Sequence, residues 1–241
     1  MRNINYPQMH LRLLPILLIA CCCSCSQDTE RRDDYAIQGI DVSRYQSVVD
    51  WDKIAAQEVH FAFIKATEGA THTDSLFERN WKQIRAAGIR RGAYHFFRPR
   101  TPAVDQANHF VAAVRLENGD LPPVLDIEVL DGINPRTLVP ALKTWLVLIR
   151  RHYGVRPILY TNLHFYNKHL AGQFADYPLW IARYGDELPV LACGRSWQFW
   201  QYGSRGTLEG IDGYVDFNVF AGDWDLFNQL SYGHFPALSA N

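Results

Sequence analysis

Beyond residue 25 the chain holds one cysteine, Cys193, of its five. A lone distant thiol builds no disulfide framework, so stability must come from a packed core. No apolar run reaches membrane-spanning length: Leu13 to Ala20, even extended through Cys23, falls short of the ~20 residues a spanning helix needs. Charge of one sign is not in excess either. The 24 Lys+Arg and 25 Asp+Glu give a net charge of -1. Setting aside Arg2 and Arg12, the only charges in the first 25 residues, leaves 22 against 25, or -3. With only the short pairs Arg90-Arg91 and Arg150-Arg151, that balance argues against nucleic acid as a partner. No Gly-rich phosphate loop follows the first strand-like segment, and no His-Glu-x-x-His or similar ligand spacing occurs. No metal and no cofactor are expected. Cys21, Cys22, Cys23 and Cys25 lack the separated pairs and the nearby His of a metal cluster.

What is present begins with Arg2 and Arg12, the apolar run to Ala20, and then Cys21. The run is too short to span and reads as a signal-peptide core over residues 1–20. Its end, Leu18-Ile19-Ala20-Cys21, resembles the lipobox of bacterial lipoproteins, which implies export and lipidation of Cys21. An ordinary signal peptide is the competing reading. Ser26 to Ala36 is charged and without periodic apolar residues, so residues 21–36 are expected to be a solvated tether reaching ~50 Å at about 3.3 Å per residue.

From residue 37 short apolar segments alternate with amphipathic ones. Gly39 to Val42, Phe61 to Ala66, Gly92 to Phe97, Pro123 to Glu128 and Ile158 to Tyr160 read as strands. Helical stretches around Trp51 to Ala56, Leu76 to Ala87, Ala103 to Leu116 and Arg136 to Tyr153 lie between them. Beyond residue 170 come Leu179 to Ala182, Trp197 to Tyr202 and Tyr214 to Phe217, strand-like and separated by Gly-containing loops. The pattern predicts an α/β fold, a single-domain TIM-like barrel over residues 37–230 whose last part lacks outer helices, with a tail over 231–241. An open doubly wound sheet is the alternative.

Either architecture gathers functional residues at the carboxyl ends of parallel strands. Pro123-Val-Leu-Asp126-Ile-Glu128 is the most informative segment there. Positions i and i+2 of a strand share a face, with Cβ atoms roughly 6–7 Å apart, so Asp126 and Glu128 look into one space. Mutual repulsion and desolvation raise the pKa of one member and leave the other charged. One acid and one base is the pairing that glycoside hydrolysis requires. Asp41, Tyr94, His95, Tyr160 and Asp216 also fall at or near strand ends. Tyr94, Trp180, Tyr184, Trp200 and Tyr202 are candidate platforms for sugar faces, and packing is the competing role of each. Lys65 and Glu68 read as a salt-bridged pair at the rim. A chitinase-like arrangement would put a further acid two positions before Asp126, where Val124 stands.

Gly39-Ile-Asp-Val-Ser43, Phe63-Ile-Lys-Ala-Thr-Glu-Gly69, Gly92-Ala-Tyr-His-Phe96, the Asp126 segment, Leu159-Tyr-Thr161, Leu179-Trp-Ile-Ala182, Trp200-Gln-Tyr202 and Gly213-Tyr-Val-Asp-Phe-Asn218 occur in this order. Together they resemble glycoside hydrolase family 25, the Chalaropsis-type lysozymes. The resemblance implies a (β/α)5(β)3 barrel that cleaves the β-1,4 bond between N-acetylmuramic acid and N-acetylglucosamine in peptidoglycan. It implies Glu128 as general acid, Asp126 as its partner, and Asp41 and Asp216 as the acids completing the site. Substrate contacts are expected from Tyr94, His95, Tyr160, Trp180, Tyr184, Trp200 and Gln201, in a monomer. The competing readings are an inactive anchored peptidoglycan-binding protein and a barrel glycosidase acting on another N-acetylglucosamine polymer.

Overall fold

The computed structural model describes residues 28–234. Cys21, its neighbouring cysteines and the residues beyond His234 lie outside the described residues, and so do the signal peptide and lipidation readings.

Eight strands close into a barrel: β1 (Gln38–Val42), β2 (Phe61–Glu68), β4 (Arg90–Phe96), β5 (Val124–Asp126), β6 (Ile158–Asn162), β7 (Leu179–Ala182), β8 (Phe199–Gly206) and β9 (Val215–Phe220). A two-residue arm, β3 (His72–Thr73), folds back on β2. Neighbouring strands from β1 to β8 run parallel, whereas β9 is antiparallel to both β8 and β1. The helices α1 (Trp51–Ala55), α2 (Phe77–Ala86), α3 (Ala103–Ala113), α4 (Pro135–Tyr153) and the short α5 (Leu163–Phe165) follow the first five barrel strands. This is the (β/α)5(β)3 order. A final helix, α6 (Trp224–Leu230), was not foreseen; its Phe227 closes the barrel floor against Phe61 and Phe220, 5.7 and 5.1 Å away between ring centroids.

Local chemistry sets the helix ends. Asn134 caps α4 by accepting from the Arg136 N–H, Pro135 opens the helix, and Gly154 at φ 75° ends it in the left-handed region that glycine adopts without strain.

Alternation along each strand divides two cores. Phe61, Phe63, Val124, Ile158, Trp180 and Phe199 point inward, while Ile40, Ala62, Ile64, Leu125, Leu159 and Ile181 pack against the helices. Phe63 stacks on Trp180 at 4.4 Å and forms the plug beneath the carboxyl end of the barrel. Two glycines admit these rings: a Cβ on Gly39 would lie 2.3 Å from the Phe61 ring, and one on Gly92 2.6 Å from Phe63. Gly92→Ala should therefore destabilise the fold by about 1–3 kcal/mol through overpacking, read as a lower urea midpoint with an unchanged m-value.

The stretch read as a solvated tether is docked from Thr29 onward. Among the described residues no helix packs outside β8 and β9, and this segment covers that side instead. The Thr29 N–H donates to the Arg205 carbonyl at 3.0 Å, the Arg32 guanidinium lies 4.6 Å above the Trp200 ring, and Tyr35 packs edge-on to Trp200. Arg31 donates to the carbonyls of Gln57 and Glu58, and Gln38 Nε2 donates to those of Arg32 and Tyr35. The arginines that made the stretch look solvated are the groups that dock it, through stacking and carbonyl acceptors that hydropathy does not register. At the other end, Ser231 to His234 also pack on the barrel, with Tyr232 and Asp120 joined through their backbones at 2.7 Å.

Candidate active site

A cleft of about 270 Å³ opens at the carboxyl end of the parallel strands. Asp41 reaches it from β1, Lys65 from β2, Tyr94 and Phe96 from β4, Asp126 and Glu128 from β5 and the turn after it, Tyr160 from β6, Trp180 from β7, Gln201 from β8 and Asp216 from β9. Tyr184, together with Ser43 and the 3-10 turn it caps, which carries Tyr45 and Gln46, forms its rim. The ladder of β5 stops at Asp126, yet the Ile127 N–H still donates to the Tyr160 carbonyl at 3.0 Å. The backbone stays extended one step further, so Ile127 is buried among the outer core and Glu128 reaches the same cleft as Asp126.

Two of the predicted contacts are not there. His95 alternates with Tyr94 and Phe96 on β4 and points outward; two successive strand residues cannot both face the cleft. It is fully buried, hydrogen-bonded to Thr67 Oγ1 at 2.7 Å and Gln106 at 3.0 Å, and stacked on Trp145 at 5.5 Å. Burial depresses its pKa to about 3, so it is a neutral core residue. Trp200 likewise alternates with Phe199 and Gln201, lies in the outer core, and donates its Nε1 hydrogen to the Arg183 carbonyl at 2.7 Å. Tyr202 shares that outer side.

Asp41 and Asp216 face each other across the β1–β9 ladder, where opposed Cβ atoms lie about 4.5–5.5 Å apart. Asp41 Oδ2 accepts from Gln201 Nε2 at 2.8 Å and Asn218 Nδ2 at 2.7 Å. Gln201 accepts in turn from the Tyr160 hydroxyl at 2.8 Å, and Asn218 accepts from Trp180 Nε1 at 2.8 Å. One polar chain thus runs from Tyr160 to Trp180 through Asp41. Burial, and then the charge of Asp216, push the Asp41 carboxyl well above the carboxylate range. Burial raises Asp216 to about 6, against a hydrogen bond from Asp41. The two carboxyls titrate as a pair, and burial with mutual repulsion makes the pair hold its last proton more tightly than an isolated carboxylate would.

Burial is also the first cause of the raised pKa of Asp126, followed by the charge of Glu128, with Lys65 opposing. Glu128 is raised by burial against the same lysine. The expectation that one carboxyl is raised and the other left charged needs correcting: Asp126 is the more deeply buried, and in the resting cleft both hold protons more tightly than usual. Asp126 Oδ1 is buried without a hydrogen-bond partner among the described residues. A buried acceptor without a protein partner can take a hydrogen bond from a bound group or a water.

Lys65 is clasped by Glu68 at 2.6 Å, and Glu68 by Arg98 Nε at 2.9 Å. Lys65 keeps the salt bridge to Glu68 that was expected at the rim and also lines the cleft, whereas Tyr45 at the rim and Asn218, which backs Asp41, were not foreseen. Asn218 carried a signal, lying two positions after Asp216, as Lys65 lies two after inward Phe63. Tyr45 sits in the 3-10 turn Arg44–Gln46, 75% exposed, and no periodicity marks it.

A larger cavity, about 870 Å³, lies at the opposite end of the barrel among Tyr153, Arg156, Tyr177, Arg195 and Tyr232. It has no pair of carboxylates, so the smaller cleft is the one equipped for chemistry. Among the described residues no group of His, Cys, Asp and Glu is arranged to hold a metal, and no helix is long and apolar enough to cross a membrane.

The family model described as Glycosyl hydrolases family 25 matches residues 40–211. Lysozyme M1 of Streptomyces globisporus is 35% identical over 208 residues, covering 79% of this chain and 69% of that protein. The protein of Escherichia coli (strain K12) named Uncharacterized protein YegX is 43% identical over 193 residues, 78% of this chain and 71% of the other. Among solved structures, a family 25 glycosyl hydrolase from Bacillus anthracis superposes with a TM-score of 0.79 at 32% identity, covering 88% of this chain and all of that one.

Proposed function

Because the chain belongs to glycosyl hydrolases family 25, we propose that Glu128 is the general acid of a muramidase that opens the β-1,4 bond after N-acetylmuramic acid in peptidoglycan, with retention and with help from the substrate. The activity itself, hydrolysis of peptidoglycan as a muramidase, is that of the family. The observation that carries the mechanism is the unpartnered Asp126 Oδ1 beside Glu128. An N-acetyl group supplies the missing partner: its N–H donates to Asp126, which aligns the acetyl oxygen for attack on the sugar's own anomeric carbon. That hydrogen bond, together with the positive charge growing on the ring, favours the ionised form of Asp126, so its high resting pKa falls when it is needed. Glu128, more accessible and held protonated by burial, delivers its proton to the departing sugar oxygen. Water then opens the cyclic intermediate, with Glu128 as base, and the configuration is retained.

The other residues position. Asp41 and Asp216 hold the Tyr160–Gln201–Asn218 chain in place and keep negative charge near the oxocarbenium-like ring. Tyr94, Tyr160, Trp180 and Gln201 line the inner sugar position, while Tyr184 and Tyr45 at the rim offer faces for neighbouring rings. Export follows from where peptidoglycan lies, and lipidation at Cys21 from the Leu18-Ile19-Ala20-Cys21 sequence.

Mass spectrometry of the digest, after borohydride reduction, tests the product. Fragments should end in reduced N-acetylmuramic acid. Ends of reduced N-acetylglucosamine would place the cut at the other bond and refute the reading.

A further inference from the structure

Along the outside of β8 and β9 the segment before β1 climbs toward the catalytic end. As its residue numbers fall from Tyr35 through Arg32 to Thr29 and Asp28, its neighbours on β8 rise from Trp200 to Gly203 and Arg205. Strand β8 runs parallel to β7, so its later residues lie at the end where the cleft opens. Gly203 is shaped for the contact: a Cβ there would lie 2.1 Å from Thr29. Arg205, 3.8 Å from Asp28, also donates to the Tyr214 hydroxyl at 2.6 Å. The Tyr214 carbonyl is met by Gln46, a rim residue of the cleft. The docked segment therefore leaves the barrel beside the cleft mouth. It does not leave from the floor, where β1 starts.

We propose that residues 28–36 are a strap that fixes the exit of the chain at the catalytic end, so that a lipid on Cys21 turns the cleft toward the membrane and confines hydrolysis to membrane-proximal glycan strands. The proposal rests on the reading of Cys21 as the lipid attachment site. Seven peptide steps separate Cys21 from Asp28, and at 3.3–3.6 Å each they span at most about 25 Å, half the reach of an undocked tether. An eight-residue strand such as β8 rises about 26 Å along its own length and, at a tilt of ~36°, roughly 20 Å along the barrel axis, so floor-down attachment would need most of the linker stretched along the barrel wall. The entropy of the linker opposes that arrangement. Asp28 to Asp34 carry both signs of charge and bind by stacking and carbonyl acceptors, so the strap persists without a membrane present.

The test uses the full lipidated chain in phosphatidylethanolamine/phosphatidylglycerol vesicles carrying a headgroup acceptor dye. A bio-orthogonal donor is placed at Thr71, exposed in the β2–β3 turn at the catalytic end, or at Arg156, exposed at the floor. Energy transfer should be at least about twofold stronger from position 71 than from 156, given a height difference of roughly 20 Å. Arg32→Ala with Thr29→Pro, which removes the stack and the N–H donor, should erase the contrast and lower melting modestly, while digestion by the unlipidated Cys21→Ser form stays as with the unaltered strap. Equal transfer from both ends in vesicle-bound protein overturns the strap proposal and leaves the anchor intact. Failure of the full chain to float with vesicles, or flotation unaffected by Cys21→Ser, overturns the anchor reading and the proposal with it.

Discussion

Glu128→Gln should lower the turnover of purified peptidoglycan about 10²–10⁴-fold, the usual worth of a general acid. The amide keeps the shape of the side chain and loses only the transferable proton. Glu128 accepts no side-chain hydrogen bond among the described residues, so the melting temperature should move little. The loss belongs in kcat, because a proton delivered to a leaving oxygen acts in the transition state and contributes little to ground-state binding. A substrate whose leaving group needs no proton separates this role from a structural one. The initial release of phenol from an aryl glycoside with an acidic phenol, which reads the first step alone, should recover much of the lost rate in Glu128→Gln. Normal digestion of peptidoglycan by the variant, or an equal loss on both substrates, would remove Glu128 from the general-acid position.

How much of this was legible beforehand depended on which physical rule each residue obeys. The barrel was legible because alternating β and α segments have few packings available, and the loss of helices after residue 170 marked the three closing strands. Asp126 and Glu128 were legible because an i,i+2 pair on a buried strand has only one place to go. The same rule was not carried through at Tyr94-His95 and Trp200-Gln201, where neighbours in sequence were both assigned to the cleft although the pleat sends them to opposite sides. His95 and Trp200 are the result: both serve the outer core, and sequence alone does not say which of two neighbours faces in until the register with Phe63 or Phe199 is known. Asn218 could have been found by counting two from Asp216. The strap could not, since its attachment depends on the bare outer side of β8 and β9, a property of the closed barrel and not of the segment. The burial order of Asp126 and Glu128 is also tertiary: it follows from where the β5 ladder stops.

That burial order leads to the second large effect. Asp126→Asn should cost roughly 10²–10³ in turnover, as expected when a group aimed at developing charge loses its own charge, and should at the same time make the protein more stable at alkaline pH. The folded-state pKa of Asp126 lies well above its ordinary value because of burial. In the unfolded chain the carboxyl ionises near 3.9, so its stabilising contribution is complete below that pH and is lost as pH rises through the higher folded value. At pH 8 the native fold must either keep a proton that water would remove or bury an unpartnered charge. Asparagine does neither, and the variant should gain about 1–3 kcal/mol there, or some 3–10 °C in melting temperature for a domain of this size. At pH 4 the advantage should vanish or reverse, since the new amide then replaces an already neutral carboxyl and brings donors with no partner. Calorimetry at the two pH values reads the sign directly. An inactive Asp126→Asn that is no more stable than the parent at pH 8 would mean that the resting cleft already satisfies this carboxylate. The role given to the acetamido N–H as its missing donor would then fall.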